Sequence, residues 1–381
     1  MSIINVNIPS SIQKNATDAV DFTAGQLLSS DGAKVVGVNP ADLEVSTATQ
    51  GQIDLKTFKI VTDYATIQDA FNIGGLLRFP AGSYDLSGII VKSNTKVIGD
   101  GKGITVLTLD SLTLPMFDCS GTYSGSTALV ANEHIEFENI TFKHVNNATV
   151  TGDGGCFIKA WNIRNCSAKS CEFLEFSGNA IYTKDTDTNQ TNSEGFFIDN
   201  CEFKDSKSTA KGVYFFSESE YCTVNNSRFN NVADGVYLSD AGNNTIIGCV
   251  FLASRIYSAN TSGLNSGKIS IIGNKINHGS GIEIRNLNSA CQYGSSIISN
   301  QILATSTHCI RITGGRGNII QGNLLWANSG VGAIRLWSTG AYTTDYNNIT
   351  GNTSILLPLL ENLSSGTNNV IANNIENAPN T

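Results

Sequence analysis

Tyrosines, carboxylates and cations recur at one position of a short repeated segment in this 381-residue chain. Each copy begins with glycine or another small residue and then alternates inward and outward side chains, which is the period-two pattern of a half-buried strand. Aligning the copies places one residue of each on the outer face. We expect this first outer column to read Phe157, Tyr182, Tyr214, Tyr237, Tyr257, Glu283, Arg311 and Arg335.

A second outer column is expected two residues further along each copy, with Lys159, Lys184, Phe216, Ser239, Ala259, Arg285, Thr313 and Trp337. A row of exposed aromatic rings suits the flat apolar faces of sugar rings, because an uncovered row would lower solubility. Tyrosine is also simply a good strand residue or a trimer contact, and this alternative stays open. The substrate-binding candidates are Tyr182, Tyr214, Tyr237, Tyr257, Lys184, Arg285, Arg311, Arg335 and Trp337.

The cations of these columns lie in a chain whose formal net charge is -8. Cations in neighbouring turns would be about 5 Å apart and would repel one another unless an anion lay between them. A ligand that bears carboxylates, such as a uronic or sialic acid, would satisfy this condition. Local pairing with Glu283, Asp185 and Asp240 is the equally weighted alternative.

Acidic residues at the ends of the repeated strands are candidates for glycoside cleavage. This reaction needs one carboxylic acid to protonate the leaving oxygen and a second carboxylate to activate water or attack. Carboxylates on nearby turns would lie about 5–10 Å apart, in the range that the reaction uses. The possible pairs are Asp185 or Asp187 with Glu218, Glu218 with Asp240, and Asp240 with Glu283. We favour Glu218 and Asp240, because both follow aromatic strands in adjacent repeats.

Two other chemistries remain open. β-Elimination from a uronate needs a base and a cation that neutralises the carboxylate, and Arg311, Arg335, Lys184 and Tyr214 supply these residue types. A non-catalytic fibre that grips a glycan would use the same aromatic column. We expect no metal and no cofactor, since the cysteines lack zinc spacing and no dense aspartate cluster lies on the strand. The histidines are interpreted as ordinary surface or turn residues; they are His134, His144, His278 and His308.

A second recurring motif sets the architecture. It consists of a small polar pair, one variable residue and an apolar residue, and it returns every 21 to 31 residues from Phe142 to Ile375. Such a period without a helical stretch predicts a parallel β-helix with one repeat per turn. Like residues then stack on like. The buried member of the polar pair is expected to be Ile140, Cys171, Cys201, Ser227, Cys249, Asn274, Asn300, Asn323, Asn352 and Asn373.

The segment from Thr62 to Leu109 resembles the start of pectate-lyase-like right-handed β-helices, including the strings FPAGSY and VIGDGKGITVL. The resemblance implies an all-β, right-handed parallel β-helix, with about twelve turns, over residues 56–381. It also implies a capping helix at 64–72, whose apolar face would be Ile67, Ala70 and Phe71. The fold carries lyases, hydrolases, epimerases and non-enzymatic fibres, so it does not by itself define the activity.

Composition narrows the functional classes further. Only 15% of residues are charged, and the 37 glycines argue against a helix-dominated protein. The negative net charge argues against nucleic acid as a partner. The sequence contains no apolar run of 18 residues, so we predict no membrane-spanning helix. The nine cysteines are expected to be free core thiols, with a link between Cys171 and Cys201 as the less favoured alternative.

Residues 1–55 show no repeat and are interpreted as an attachment or assembly module. Together with the β-helix and the lack of a recognisable signal peptide, this resembles phage tailspikes and tail-fibre depolymerases. The resemblance implies a homotrimer on the virion tail, assembled in the host cytoplasm and joined to tail proteins through the N-terminal module. It implies an endo-acting glycoside hydrolase whose substrate is a bacterial surface polysaccharide, either capsule or O-antigen. A secreted bacterial enzyme is the alternative.

Overall fold

The computed structural model describes residues 27–28, 34–35, 58–124, 128–145, 155–184, 193–207, 209–261, 267–287, 294–328, 332–338, 343–364, 366 and 368–377. The chain divides into two units, Met1–Lys56 and Thr57–Thr381. In the first unit, Leu27–Leu28 pairs antiparallel with Lys34–Val35. The role of residues 1–55 in attachment stays a prediction.

The second unit is a parallel β-helix with three long sheets, here named A, B and C, of 15, 12 and 11 strands. Sheet A contains Lys59–Ile60, Gly75–Phe79, Thr95–Gly99, Glu136–Glu138, Ile163–Lys169, Ser193–Asp199, Thr223–Asn225, Thr245–Ile247, Ser270–Ile272, Ser296–Ile298, Ile319–Gln321, Asn348–Thr350 and Val370–Ala372, with Asn132–Glu133 and Ser219–Glu220 at its side. Sheet B contains Gly82–Asp85, Thr105–Leu109, Thr141–His144, Glu172–Leu174, Glu202–Lys204, Arg228–Asn230, Val250–Leu252, Lys275–His278, Gln301–Ala304, Leu324–Ala327, Thr353–Ile355 and Ile375–Asn377.

Sheet C contains Ile89–Ile90, Phe117–Asp118, Ile158–Trp161, Ile181–Lys184, Lys211–Phe216, Asp234–Ser239, Arg255–Asn260, Ile282–Asn286, Ile310–Thr313, Ile334–Trp337 and Leu360–Leu363. A separate hairpin pairs Thr122–Ser124 with Ala128–Val130. Within the three sheets all pairing is parallel, as between Tyr182 and Tyr214 in successive turns. The predicted all-β parallel β-helix is therefore confirmed.

The turn from sheet A to sheet B explains the small polar pair of the repeated motif. Its first residue has a positive φ, for example 52° at Asn200 and 64° at Gly273. Asparagine and glycine are the residues that adopt this left-handed conformation most readily. The second residue of the pair turns inward, so Cys201 and Asn274 are buried. One residue bends the chain and the next fills the corner of the core.

Like residues stack in the core as the motif predicts. Phe203 packs against Phe173 and Phe229 with ring centroids 4.6 Å apart in both directions and interplanar angles of 9° and 6°. The column continues into Ile276 and Ile302 through the register of sheet B. These rings and chains are fully buried, and burial of such residues is the main stabilising contribution to a fold of this kind.

Buried asparagines form a ladder along the same corner. The backbone N–H and side-chain amide of Asn300 both donate to Oδ1 of Asn323, at 2.9 and 3.0 Å. Asn352 continues the ladder to Oδ1 of Asn374 and not to the predicted Asn373. The prediction slipped by one residue in the last turn because Ser354 pairs with Glu376, not with Ile375.

A second ladder at the entrance to sheet A was not predicted. It runs from Asn318 to Asn347 and Asn369, with side-chain donors 2.8 and 2.9 Å from the next Oδ1. The eight cysteines within the described residues are buried free thiols, and Cys171 and Cys201 lie in adjacent turns of the first ladder. Small polar or thiol side chains thus line both corners of the core.

A short helix, Ile67–Ile73, precedes the first full turn, after the 3-10 segment Val61–Asp63. Thr66 and Asp69 form a capping box, so the helix begins three residues after the predicted start. Ala70 and Phe71 are buried, and the ring of Phe71 lies 5.4 Å from that of Phe117. No helix within the described ranges is both long and apolar enough to cross a bilayer.

Candidate functional site

The outer face of sheet C carries one continuous column of side chains. The strand register gives the order Ile90, Asp118, Lys159, Tyr182, Tyr214, Tyr237, Tyr257, Glu283, Arg311, Arg335 and Glu361. The predicted column is correct from Tyr182 to Arg335. Its first member is wrong, because Lys159 takes the outer position and Phe157 is fully buried in the core.

The four tyrosines contact one another in sequence, with Tyr214 and Tyr237 edge-to-face at 74°, but they are not equally accessible. The rings of Tyr182 and Tyr214 lie parallel at 4.9 Å, and Tyr237 and Tyr257 are 5.1 Å apart. Tyr182 is only 2% exposed, so its predicted exposure is wrong, whereas the other three are half-buried. Burial raises the pKa of Tyr237 and of Tyr257. Tyr214, Tyr237 and Tyr257 therefore form the accessible aromatic surface, here named the tyrosine platform.

Cations flank the platform at its N-terminal end. Trp161, not Lys159, pairs with Lys184 in the second outer column. Lys159 lies 2.9 Å from Asp118 and 4.2 Å from the centre of the Trp161 ring, and Lys184 lies 4.8 Å from the same ring. These contacts partner both lysines within the chain.

Lys211 is a further cation beside the platform that the strand pattern did not predict. Its ammonium group lies 4.8 Å from the ring centre of Tyr214 and 4.9 Å from that of Tyr237. Burial lowers the pKa of Lys211, and the nearby carboxylate of Asp234 partly offsets this effect. Its position one residue before a small glycine, outside the alternating pattern, gave no functional signal.

Glu283 organises the arginines at the C-terminal end of the platform. Its Oε1 lies 2.7 Å from Arg285 and 3.3 Å from Arg311, and its Oε2 lies 3.4 Å from Arg255. The carboxylate is buried while the three guanidinium groups are a quarter to a third exposed. Arg285 and Arg311 are therefore paired with Glu283 within the chain, which was the predicted alternative to pairing with an anionic ligand. Arg255 is a third partner of Glu283 that was not predicted.

We expect Glu283→Gln to lower the free energy of unfolding by about 2 kcal/mol. Three arginines would lose their shared counter-charge, although their exposure to solvent screens part of the effect. Thermal unfolding should show a lower midpoint than for Glu202→Gln, which removes a carboxylate on sheet B that lies 3.0 Å from Lys204. Equal shifts for the two variants would contradict the central role of Glu283.

A pocket of about 90 Å³ lies beside this cluster, lined by Ser280, Ile282, Glu283, Thr307, His308, Arg311 and Arg335. Arg311 and Arg335 lie 4.6 and 4.7 Å from the ring centre of Trp337. Burial lowers the pKa of Arg311, and the like charges of Arg285 and Arg335 add to this effect. The Nε atom of Arg311 is buried without a hydrogen-bond partner among the described residues. Cationic N–H groups are thus concentrated in a small space.

His308 was predicted to be an ordinary surface or turn residue, and this is wrong. It is buried, with Nδ1 2.7 Å from the carbonyl oxygen of Gly332. Its Nε2 lies 3.2 Å from Nη1 of Arg335 and 3.5 Å from Oε2 of Glu361. When the ring is neutral, donation from Nδ1 to this carbonyl oxygen leaves Nε2 as the acceptor. The contacts come from other turns, which the local sequence does not reveal.

His144 is also buried, between Gly155 and Ser177, and burial lowers its pKa. His278 is half-buried, and its Nδ1 lies 2.8 Å from the carbonyl oxygen and 2.9 Å from the backbone nitrogen of Ser280. Among the described ranges no group of three or more His, Cys, Asp and Glu side chains could hold a metal ion.

The favoured carboxylates lie in neighbouring turns where sheet C ends. The backbone N–H of Glu218 donates to the carbonyl oxygen of Asp240 at 2.8 Å. In the strand register Asp240 lies opposite Ser217 of the preceding turn. Glu218 therefore lies one residue beyond the position opposite Asp240. Both Asp240 oxygens accept hydrogen bonds from Thr261, one from its backbone N–H and one from its hydroxyl group. Asp185 and Asp187 lie outside the described residues.

Comparison of the fold with solved structures finds proteins of low sequence identity. The A-module of the Azotobacter vinelandii mannuronan C-5 epimerase AlgE6 is 15% identical, with a TM-score of 0.63 over 84% of this chain and 99% of that chain. The catalytic unit of a Streptomyces thermodiastaticus GH87 α-1,3-glucanase is 16% identical, with a TM-score of 0.60 over 84% and 66%. The Dettilon tailspike protein is 15% identical, with a TM-score of 0.58 over 79% and 60%.

These likenesses establish the shared β-helix fold. A search of curated protein sequences finds no match. The sequence model of one family, described as rhamnogalacturonase A/epimerase, pectate lyase-like, matches residues 61–265, which is more than half of the chain. The match covers the first turns, the tyrosine platform, Glu218 and Asp240. The chain belongs to the rhamnogalacturonase A/epimerase, pectate lyase-like family.

Proposed function

We propose that this protein binds a bacterial surface polysaccharide along the outer face of sheet C and cleaves it by glycoside hydrolysis. The observation that carries the proposal is the tyrosine platform, which runs along the β-helix axis and has cationic clusters at both ends. Turns are about 4.8 Å apart, so the three accessible rings span about 10 Å. This length accommodates about two consecutive sugar rings. Their polar edges would meet the charged side chains beside the platform.

Hydrolysis is assigned to Glu218 and Asp240. Thr261 fixes the orientation of the Asp240 carboxylate through two hydrogen bonds, which suits a group that activates water or attacks the sugar. Glu218, which is half-buried, would protonate the leaving oxygen. Glu283 is the weaker candidate because three arginines surround its carboxylate. Asp185 remains a proposed member of the site.

A polysaccharide lyase is the second candidate, favoured by the pocket at the C-terminal end. There Nε2 of His308 can accept a proton, while Arg311 and Arg335 can neutralise the carboxylate of a uronate. In β-elimination the base takes the C5 proton, the electron pair forms the C4–C5 double bond, and the C4–O bond breaks. Proton transfer to the departing oxygen completes the step. A non-catalytic fibre that binds glycan on the outer face of sheet C is the third candidate function.

We also propose a place for this activity on a phage tail. The fold likeness to the Dettilon tailspike supports a virion-associated protein. The proposal includes a homotrimer whose residues 1–55 contact other tail proteins. The glucanase and epimerase likenesses support action on polysaccharide in general. A secreted bacterial enzyme is the alternative location.

The proposal is tested by incubating the chain with purified capsular polysaccharides and O-antigens from a panel of bacteria. We expect reducing ends to appear on at least one of them without the ultraviolet absorbance of unsaturated uronates. Absorbance that rises together with reducing ends would establish a lyase and overturn hydrolysis. Binding without either product would establish a fibre, and neither binding nor product across the panel would reject the proposed function.

A further inference from the structure

The outer face of sheet B changes its chemistry along the β-helix. In the early turns, acids and lysines pair across the strands. Lys204 lies 3.0 Å from both Glu172 and Glu202, and Lys143 lies 3.2 Å from Glu175. From Val250–Leu252 onward the outer positions of the strands are apolar or carry neutral polar groups, with the cation Lys275 as an exception. The later turns therefore present a surface that is not organised by ion pairs.

A cavity of about 330 Å³ lies on these later turns, lined by Lys275, Ile276, Asn277, Gln301, Leu303 and Trp326. The register places Asn277, Leu303 and Trp326 in one column, and Lys275 and Gln301 in the column beside it. Within a column the residues are about 4.8 Å apart, and the two columns are about 6.6 Å apart along each strand. The cavity volume lies at the lower end of the range for small-ligand sites.

Trp326 forms the aromatic wall of this cavity. The chain contains 3 tryptophans, and the other two contact cations on sheet C: Trp161 with Lys159 and Trp337 with Arg311. Trp326 makes no ring or cation contact among the described residues and is half-buried. Its ring therefore combines an open apolar face with a polar N–H, a combination typical of binding surfaces.

The polar edge of the cavity is formed by side chains that point to solvent. Asn277, Gln301 and Lys275 are exposed, and their side chains make no hydrogen bond or ion pair among the described residues. Lys275 differs in this respect from Lys143 and Lys204 on the same sheet, which are paired with carboxylates. Two amides and one ammonium group are thus available to a ligand's hydroxyl or acyl groups.

We propose that this cavity is a second glycan-binding site, which takes one pyranose residue of a polysaccharide without cleaving it. The sugar's C–H face would lie on Trp326 and Leu303, and its hydroxyl groups would meet Asn277, Gln301 and Lys275. A pyranose ring is about as wide as the spacing of neighbouring turns. The site lies on a different sheet from the tyrosine platform and does not depend on the activity proposed there. It would hold the polymer while another stretch occupies sheet C.

The test uses a panel of probes: methyl α-D-glucopyranoside, methyl β-D-galactopyranoside, methyl α-L-rhamnopyranoside and N-acetyl-D-glucosamine. Saturation-transfer NMR at up to about 50 mM covers the millimolar dissociation constants of weak sites. We expect at least one probe to bind the full chain and to lose five-fold or more of its signal with Trp326→Ala. Trp326→Phe should restore most of it, because the flat ring returns.

Two controls separate this site from other exposed rings and from subunit contacts. The signal should persist in Phe197→Ala, which removes an exposed ring from the outer face of sheet A, so an equal loss there would overturn the proposal. Light scattering should give the same mass for the native chain and Trp326→Ala. A smaller mass for the variant would identify this surface as a contact between copies and overturn the proposal. A panel without any Trp326-dependent signal would also reject it.

Discussion

Asp240→Asn is expected to reduce polysaccharide cleavage by about 10³-fold or more, because general acid–base and nucleophilic groups contribute on this scale. The amide can neither accept a proton nor attack the sugar. Reducing-end assays at saturating polysaccharide measure the loss. Binding to the tyrosine platform should persist, because Asp240 lies beyond the end of the platform strands.

The same substitution has a structural cost that must be separated from catalysis. The new amide group would turn a donor toward Thr261, whose N–H and hydroxyl group both donate to Asp240 in the native chain. One unsatisfied buried donor costs about 1–3 kcal/mol, which leaves the β-helix folded. Thr261→Ala is the matched control, since it removes one hydrogen bond and keeps the carboxylate. Unchanged turnover in folded Asp240→Asn would remove Asp240 from the site.

Phe203→Ala is expected to lower the free energy of unfolding by about 3–5 kcal/mol. The ring is fully buried between Phe173 and Phe229, so its loss leaves a cavity that the stack cannot close from either side. Thermal or denaturant unfolding measures the change.

The matched control is Phe197→Ala, which removes the same side chain from the outer face of sheet A in the same turn. Phe197 is 37% exposed, and its truncation should cost less than about 1 kcal/mol. Similar losses for the two variants would contradict the stacked core, on which the alignment of the outer column depends.

The sequence predicted the turns of the β-helix because each turn repeats two local signals. A left-handed residue at the corner is followed by a buried polar or thiol residue, as at Asn200 and Cys201, and this pair can be read without long-range information. The outer column followed from alternation, so Tyr182 through Arg335 were placed in the correct register. Errors arose where the spacing changed. Phe157 was aligned through the preceding small residues, although it packs into the core before the strand Ile158–Trp161 begins.

The chemistry around the column was predicted less completely. Glu361 lies in the last strand of sheet C and was not predicted. Its strand, Leu360–Leu363, lacks the preceding small residue and the alternation by which the other copies were recognised. His308 contacts Arg335 and Glu361 across turns, and such contacts depend on side-chain packing rather than on the period of the strand. Arg255 and Lys211 lie at the beginning of their strands, where the pattern gave no functional signal.

The most direct test of a glycan site on sheet C is a crystal structure of the Asp240→Asn variant with an oligosaccharide from a polysaccharide that the chain binds. We expect electron density for sugar rings over Tyr214, Tyr237 and Tyr257, with the scissile linkage beside Glu218 and residue 240. Density confined to another face of the β-helix, with the tyrosine platform empty, would contradict it.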